Sequence, residues 1–253
     1  MEVVLSHVCS EWRNIAINLP TFWTAFKFDT DLRVSDPVKK LEEYLSRSGT
    51  QLLELYFSFS RSDYEGDPDL FISEVERDFP LVEAAISHAC RWRRFTFFAD
   101  EVNDSFDFIR LFDKIYVPNL EYLALCLSNC NPLGSYSART RGRSRKYQLI
   151  LTGGAPRLCA VRIDAVTPFY WPPPLSNITT LTIQHSQEGV QFTFHIFYSI
   201  LTIPTLTNLS IETWGCLEHW TVDPGNLPSI KMPSLKTLRI TQDSDILSIL
   251  SRS

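Results

Sequence analysis

The chain has 253 residues, 44% of them hydrophobic and 21% charged, which is a globular composition with enough material for a large core in one elongated or two compact domains. A formal charge of −5 and a pI near 5.6 offer no general attraction to a nucleic-acid backbone or an anionic membrane surface. No apolar run approaches the roughly 20 residues that a bilayer-crossing helix needs, so neither membrane nor nucleic acid is expected as a partner.

Acidic Glu2 stands where a signal peptide would carry Lys or Arg, and residues 1–7 hold no basic segment ahead of an apolar stretch; the expected location is cytoplasm and/or nucleus. Cys9, Cys90, Cys126, Cys130, Cys159 and Cys216 are scattered through a chain too large to need staples, and are read as reduced, partly buried thiols.

The first predicted element is a helix with Val4, Leu5, Val8, Cys9, Trp12, Ile15 and Ala16 on one side, ending at Asn18, Leu19 and Pro20. By pattern alone it is core-facing. After it, one local motif recurs: an apolar residue, another three positions later and a third two positions after that. It is aromatic-rich in Trp23, Phe26 and Phe28, in Leu52, Leu55 and Phe57, and in Trp92, Phe95 and Phe97. It is aliphatic in Leu120, Leu123 and Leu125, then Leu158, Val161 and Ile163, then Ile178, Leu181 and Ile183. Leu206, Leu209 and Ile211, followed by Leu235, Leu238 and Ile240, complete the series.

The last four residues of each motif alternate as a short strand burying one face must. Pro118, Pro156, Pro204 and Pro233 each precede a motif by two residues, where no ladder donor is required. Between motifs lie helical spacings: Val38, Leu41, Tyr44 and Leu45 behind an Asp36-Pro37 start, Val75, Val82, Ala85, Ile86 and Ala89, and Phe194, Phe197, Tyr198 and Leu201.

The first positions of the eight motifs are separated by 29, 40, 28, 38, 20, 28 and 29 residues. Five of these intervals fall in the 20–29 residue range of leucine-rich repeats, and the two long ones leave room for insertions. The 20-residue step is short for a helical crossover with its strand, which needs about 30 residues. The expected fold class is therefore α/β, an irregular leucine-rich-repeat-type solenoid with a curved parallel sheet.

The string Leu5-Ser6-His7-Val8-Cys9-Ser10-Glu11-Trp12-Arg13-Asn14-Ile15-Ala16, followed by Leu19-Pro20 and Trp23, resembles the second half of the F-box in fungal F-box-like proteins. Leu45-Ser46-Arg47-Ser48-Gly49 and His88-Ala89-Cys90-Arg91-Trp92-Arg93 are similar to segments that follow the box in that family. The resemblance implies a helical F-box remnant over 1–28 running into the first strand, and a degenerate leucine-rich-repeat-like domain over 29–253.

It further implies a substrate-recognition subunit of a Skp, cullin and F-box ubiquitin ligase. In such a subunit Leu5, Val8, Cys9 and Trp12 would touch the Skp-type linker subunit and the repeats would hold an unknown protein substrate. The matched string begins after the leucine-proline pair and first helix with which F-boxes open, so linker binding is expected to be weak. The alternative is a repeat-type interaction scaffold with no ligase linkage. Within the repeats, the alternate strand residues Tyr56, Phe98, Arg162, Asp164, Gln184, Glu212 and Arg239 point away from the core and form the expected partner-binding concave face.

Nothing catalytic is expected, since no serine-elbow, phosphate-loop or dinucleotide motif is present. No cofactor is expected either. Cys126 and Cys130 with Cys216 and His219 form two pairs 86 residues apart, 130 to 216, the first at the end of a strand, and would meet as a zinc site only by an accident of the fold. Gly153-Gly154 reads as a turn. The basic run Arg139, Arg141, Arg143, Arg145 and Lys146 reads as a solvated insertion between the fourth and fifth strands.

Overall fold

A computed structural model describes residues 9–30, 35–59, 79–99, 110–126, 149–164, 167, 171–184, 194–212 and 232–241. Among these the chain is α/β, built on one open, all-parallel sheet of eight strands arranged in sequence order. The strands are β1 (Ala25–Asp29), β2 (Leu53–Phe59), β3 (Trp92–Ala99), β4 (Tyr122–Cys126), β5 (Ala160–Asp164), β6 (Thr180–Gln184), β7 (Asn208–Glu212) and β8 (Thr237–Thr241). Every one falls on a predicted motif.

The register shows why the motif recurs. Phe26, Leu55, Phe95, Leu123, Val161, Leu181, Leu209 and Leu238 are successive partners across all eight strands. Phe28, Phe57, Phe97, Leu125, Ile163, Ile183, Ile211 and Ile240 form a second such row. Both rows lie on one face, because strand side chains alternate with period two. A slip of one residue in any strand would turn its apolar pair to the wrong side, so the alternation itself fixes the register.

The core changes character along the sheet. Over β1–β3 it is a stack of rings: Phe57 lies 6.0 Å from Phe26 and 5.8 Å from Phe95, and Trp92 stacks on Phe95 at 4.2 Å. From β4 onward Leu, Val and Ile take over. Leu123 and Leu209 are 2% and 1% exposed, as expected for core, but Leu238 is 39% exposed. Among the described residues its strand β8 is the last of the sheet and has a paired neighbour on one side only, which corrects its placement in the core.

Helices that accompany the strands among the described residues include α1 (Ser10–Asn18), α2 (Pro37–Arg47) and α3 (Phe194–Leu201). Helix α2 starts where Asp36-Pro37 signals, with Asp36 Oδ1 accepting from the Lys39 N–H at 3.0 Å, and it buries Leu41, Tyr44 and Leu45 on the sheet. Residues 79–86 are also helical and bury Val82 and Ala85; Val75 lies outside the described residues. Phe197 and Leu201 of α3 are buried as their spacing predicts.

Helix α1 departs from its core-facing expectation. It ends at Asn18 as predicted, yet of its residues only Ala16 is buried, while Trp12 and Ile15 are 51% and 60% exposed. The end of the helix is anchored where the Trp23 indole N–H donates to the Ala16 carbonyl at 2.7 Å. The cysteine expectation also shifts: of the four described, Cys126 is buried and Cys9, Cys90 and Cys159 are exposed free thiols.

The described end of the long interval between the fourth and fifth motifs, residues 149–155, packs on residues 112–117, which precede the fourth motif. Leu151 N–H donates to Phe112 O at 2.8 Å, Val117 N–H donates to Gly154 O at 2.9 Å, and Ile150 and Leu151 are buried. Gly153-Gly154 is the turn of this clasp, with Gly154 bridged to Tyr116. The basic run of 139–146 lies outside the described residues.

Candidate functional site

Two surfaces carry the predicted site residues. The first is α1. Leu5 and Val8 lie outside the described residues, Cys9 is the exposed residue ahead of the helix, and Trp12 sits on its exposed side with Ile15. Leu19, just past the helix end, and Ile17, on the other side of the helix from Trp12, are exposed as well.

The second surface is the sheet face opposite the core. Two rows of partners run along it. One holds Lys27, Tyr56, Thr96, Ala124, Arg162, Thr182, Ser210 and Arg239. The other includes Phe98 beside Cys126, and Asp164, Gln184 and Glu212 in succession.

The seven predicted residues do not form one site. Tyr56, Phe98 and Arg162 come together in a cleft of about 510 Å³ over β1–β5. Tyr56 and Phe98 pack with ring centroids 5.5 Å apart, and Lys27 Nζ lies 5.0 Å from the Tyr56 ring centre. Arg239 on β8 is six strand spacings from Tyr56, about 29 Å, so only an extended partner spans both. Glu212 and Gln184 lie between them, with Glu212 accepting from the Ser210 hydroxyl at 3.3 Å and Gln184 from the Cys126 thiol at 3.3 Å.

Asp164 is a correction. It is 1% exposed, its Oδ1 accepting from the Thr167 N–H at 2.8 Å with the Thr167 hydroxyl also 2.8 Å away. Thr167 sits at this strand end, its hydroxyl also lying 3.2 Å from Leu125 O. Alternation places Asp164 on the outer face, but there its carboxylate is bonded to Thr167 and buried. Cys126 is buried as well. Burial, with Asp164 adding to it and Arg162 opposing it, pushes the thiol far above its usual pKa, so it remains protonated and a poor nucleophile.

The cleft also draws in residues that the prediction missed: Lys27, Glu54, Arg94, Thr96 and Tyr122. Glu54, Arg94 and Tyr122 share a row one step before the core residues Leu55, Phe95 and Leu123. Period-two alternation points them outward as surely as Tyr56, so extending the pattern one residue earlier in each strand would have found them. Arg94 holds its guanidinium 4.5 Å from the Tyr122 ring centre.

Among the described residues, no group of three His, Cys, Asp or Glu side chains is placed to hold a metal ion, and no helix is long and apolar enough to cross a membrane. Cys130, Cys216 and His219 fall outside those residues. No family model, curated protein or solved structure matches the chain.

Proposed function

We propose that the chain is a non-enzymatic protein-interaction scaffold, a leucine-rich-repeat-type solenoid whose sheet face opposite the core is the concave, partner-binding side. Within that class, the reading favoured is a substrate-recognition subunit of a Skp, cullin and F-box ubiquitin ligase, with α1 as the remnant of the box. The ligase chemistry then belongs to other subunits.

The observation that carries this reading is the exposure of α1. A helix that leaves Trp12 and Ile15 side by side on solvent contributes little through them to its own fold, and exposed large apolar side chains set next to one another suit an interaction site. The F-box-like string places Cys9 and Trp12 at positions that touch the linker subunit in the family it resembles, with Leu5 and Val8 ahead of them.

Calorimetric titration of the full chain with a Skp-type linker subunit tests it. Weak but saturable binding that disappears in Trp12→Asp and Ile15→Asp is expected. Because both side chains are solvent-exposed, these variants should keep the wild-type melting temperature. Absence of binding by the wild-type chain would leave the repeat-type scaffold without ligase linkage.

A further inference from the structure

We infer that the cleft over β1–β5 is a carboxylate-recognition subsite, taking an Asp or Glu side chain from an extended acidic segment of a protein partner. The inference rests on the reading of this sheet face as a protein-binding surface and names the chemistry it selects.

Charge is the first argument. Lys27, Arg94 and Arg162 line the cleft against one carboxylate, Glu54, and that carboxylate is already ion-paired with Arg93. Lys27 is held by Asp29 at 3.2 Å. The positive charge left for a ligand is that of Arg94 and Arg162, concentrated in a concave site on a chain whose formal charge is −5. A cleft of one sign with low-dielectric walls focuses its field on an incoming ion of the opposite sign.

The second argument is Arg162 itself. Its Nε is buried with no hydrogen-bond partner among the described residues. A guanidinium donor withdrawn from water and left unsatisfied is costly, and one acceptor that answers it is a carboxylate, which Arg engages through paired N–H donors. Arg162 stands on β5 yet lines the same cleft as Tyr56 on β2. The small residues Ala124 and Thr96 separate them in the row, and this leaves the long side chain room to lie toward β3.

The third argument is the wall. Tyr56, Phe98 and Tyr122 provide aromatic surface beside the guanidinium groups. Rigid rings adjoining an arginine suit an acidic residue flanked by apolar or aromatic neighbours, because ring contact supplies area while the charge pair sets identity.

A displayed library of random twelve-residue peptides, selected against the full chain, provides the probe. Enriched peptides should carry Asp or Glu, and their synthetic Gln or Asn counterparts should bind about tenfold more weakly by fluorescence anisotropy. Arg162→Met should abolish that preference. Arg94→Met, at an exposed position, should reduce it and guards against a folding defect in the first variant. Enriched peptides that need Tyr56 and Phe98 but bind equally as acid and amide would overturn the carboxylate assignment while keeping the face as a protein-binding surface. Peptides indifferent to Tyr56→Ala, Phe98→Ala and Arg162→Met, or no enrichment at all, would overturn both. Binding only after phosphoserine replaces the acid would assign the cleft to a phosphoryl group instead.

Discussion

Trp92 donates its indole N–H to the carbonyl of Ala85, seven residues earlier, at 3.1 Å. Trp23 makes the same bond to Ala16, again seven residues earlier, at 2.7 Å. In both places a tryptophan at a strand entrance closes the end of the preceding helical segment, so two stretches of unlike sequence are built to one plan.

The two bonds differ in what stands behind them. Ala85 O also accepts from the His88 N–H at 3.0 Å, whereas the helical donor for Ala16 O would come from residue 20, a proline without an N–H. Trp→Phe removes similar ring volume at each site but leaves a buried carbonyl unpaired only at Ala16. Trp23→Phe should therefore cost about 1–3 kcal/mol more than Trp92→Phe in urea unfolding, and equal losses would contradict this account.

The core rows predict a graded leucine series. Leu123→Ala and Leu209→Ala should each lose about 2–5 kcal/mol, since both side chains are enclosed. Leu238→Ala, on the last strand and 39% exposed, should lose under about 1 kcal/mol. Thermal melts read the order directly; a Leu238 variant as damaged as the others would mean that its strand is covered in solution.

The strands were legible because a parallel sheet with one apolar face imposes period two on every strand, and Leu123-Ala124-Leu125 or Leu209-Ser210-Ile211 state that period in three residues. Other features depended on which surface lies opposite. A helix stripe of Trp12, Ile15 and Ala16 predicts an apolar contact but cannot say whether the partner belongs to the same chain. Asp164 alternates outward like Gln184, yet its carboxylate is bonded to Thr167 and buried. The cleft was legible in part: Tyr56, Phe98 and Arg162 were found, while Arg94 and Tyr122 were missed because the motif was read one residue short.

Arg91 ties together two segments distant in sequence. Its Nε donates to Gln51 O at 2.9 Å, its Nη1 to Leu45 O at 3.3 Å, and its Nη2 to the Ser48 hydroxyl. Leu45 and Ser48 belong to the stretch 45–49, Gln51 lies just beyond it, and Arg91 belongs to the stretch 88–93. Arg91→Ala should cost about 1.5–3 kcal/mol, and Arg91→Lys should recover only part of it, because an ammonium cannot reproduce the fork.

His88 shares this junction, its Nδ1 lying 3.3 Å from Arg91 Nη1, where it must present a lone pair. Burial first, and the Arg91 charge second, hold its pKa below 6.5. The unfolded chain thus binds the proton at a higher pH than the folded one. This contribution to stability is complete above pH 6.5 and is lost as pH falls from 6.5 through the folded-state pKa. Urea unfolding from pH 8 to 5 should show a steeper acid decline for wild type than for His88→Asn. Parallel curves would remove His88 from the pH response.

The clasp at 149–155 offers the sharpest steric test. A Cβ added at Gly153 would stand 2.5 Å from Lys114 O and 2.7 Å from Ile115 C and O, all backbone atoms with no rotamer to yield. Lys114 already holds φ at 59°, and its N–H donates to the Thr152 hydroxyl at 3.0 Å, so moving that carbonyl disturbs a turn under constraint. Gly153→Ala should cost about 2–3 kcal/mol. For a chain of this size each kcal/mol corresponds to about 2–4 °C in Tm. Gly49→Ala is the control: its φ of 58° suits glycine, but nothing lies within 4 Å of the added Cβ. There the expected loss is only the left-handed backbone term, about 1 kcal/mol. If the two variants melt together, residues 149–155 do not pack against 112–117 as described, and the buried positions of Ile150 and Leu151 fall with that contact.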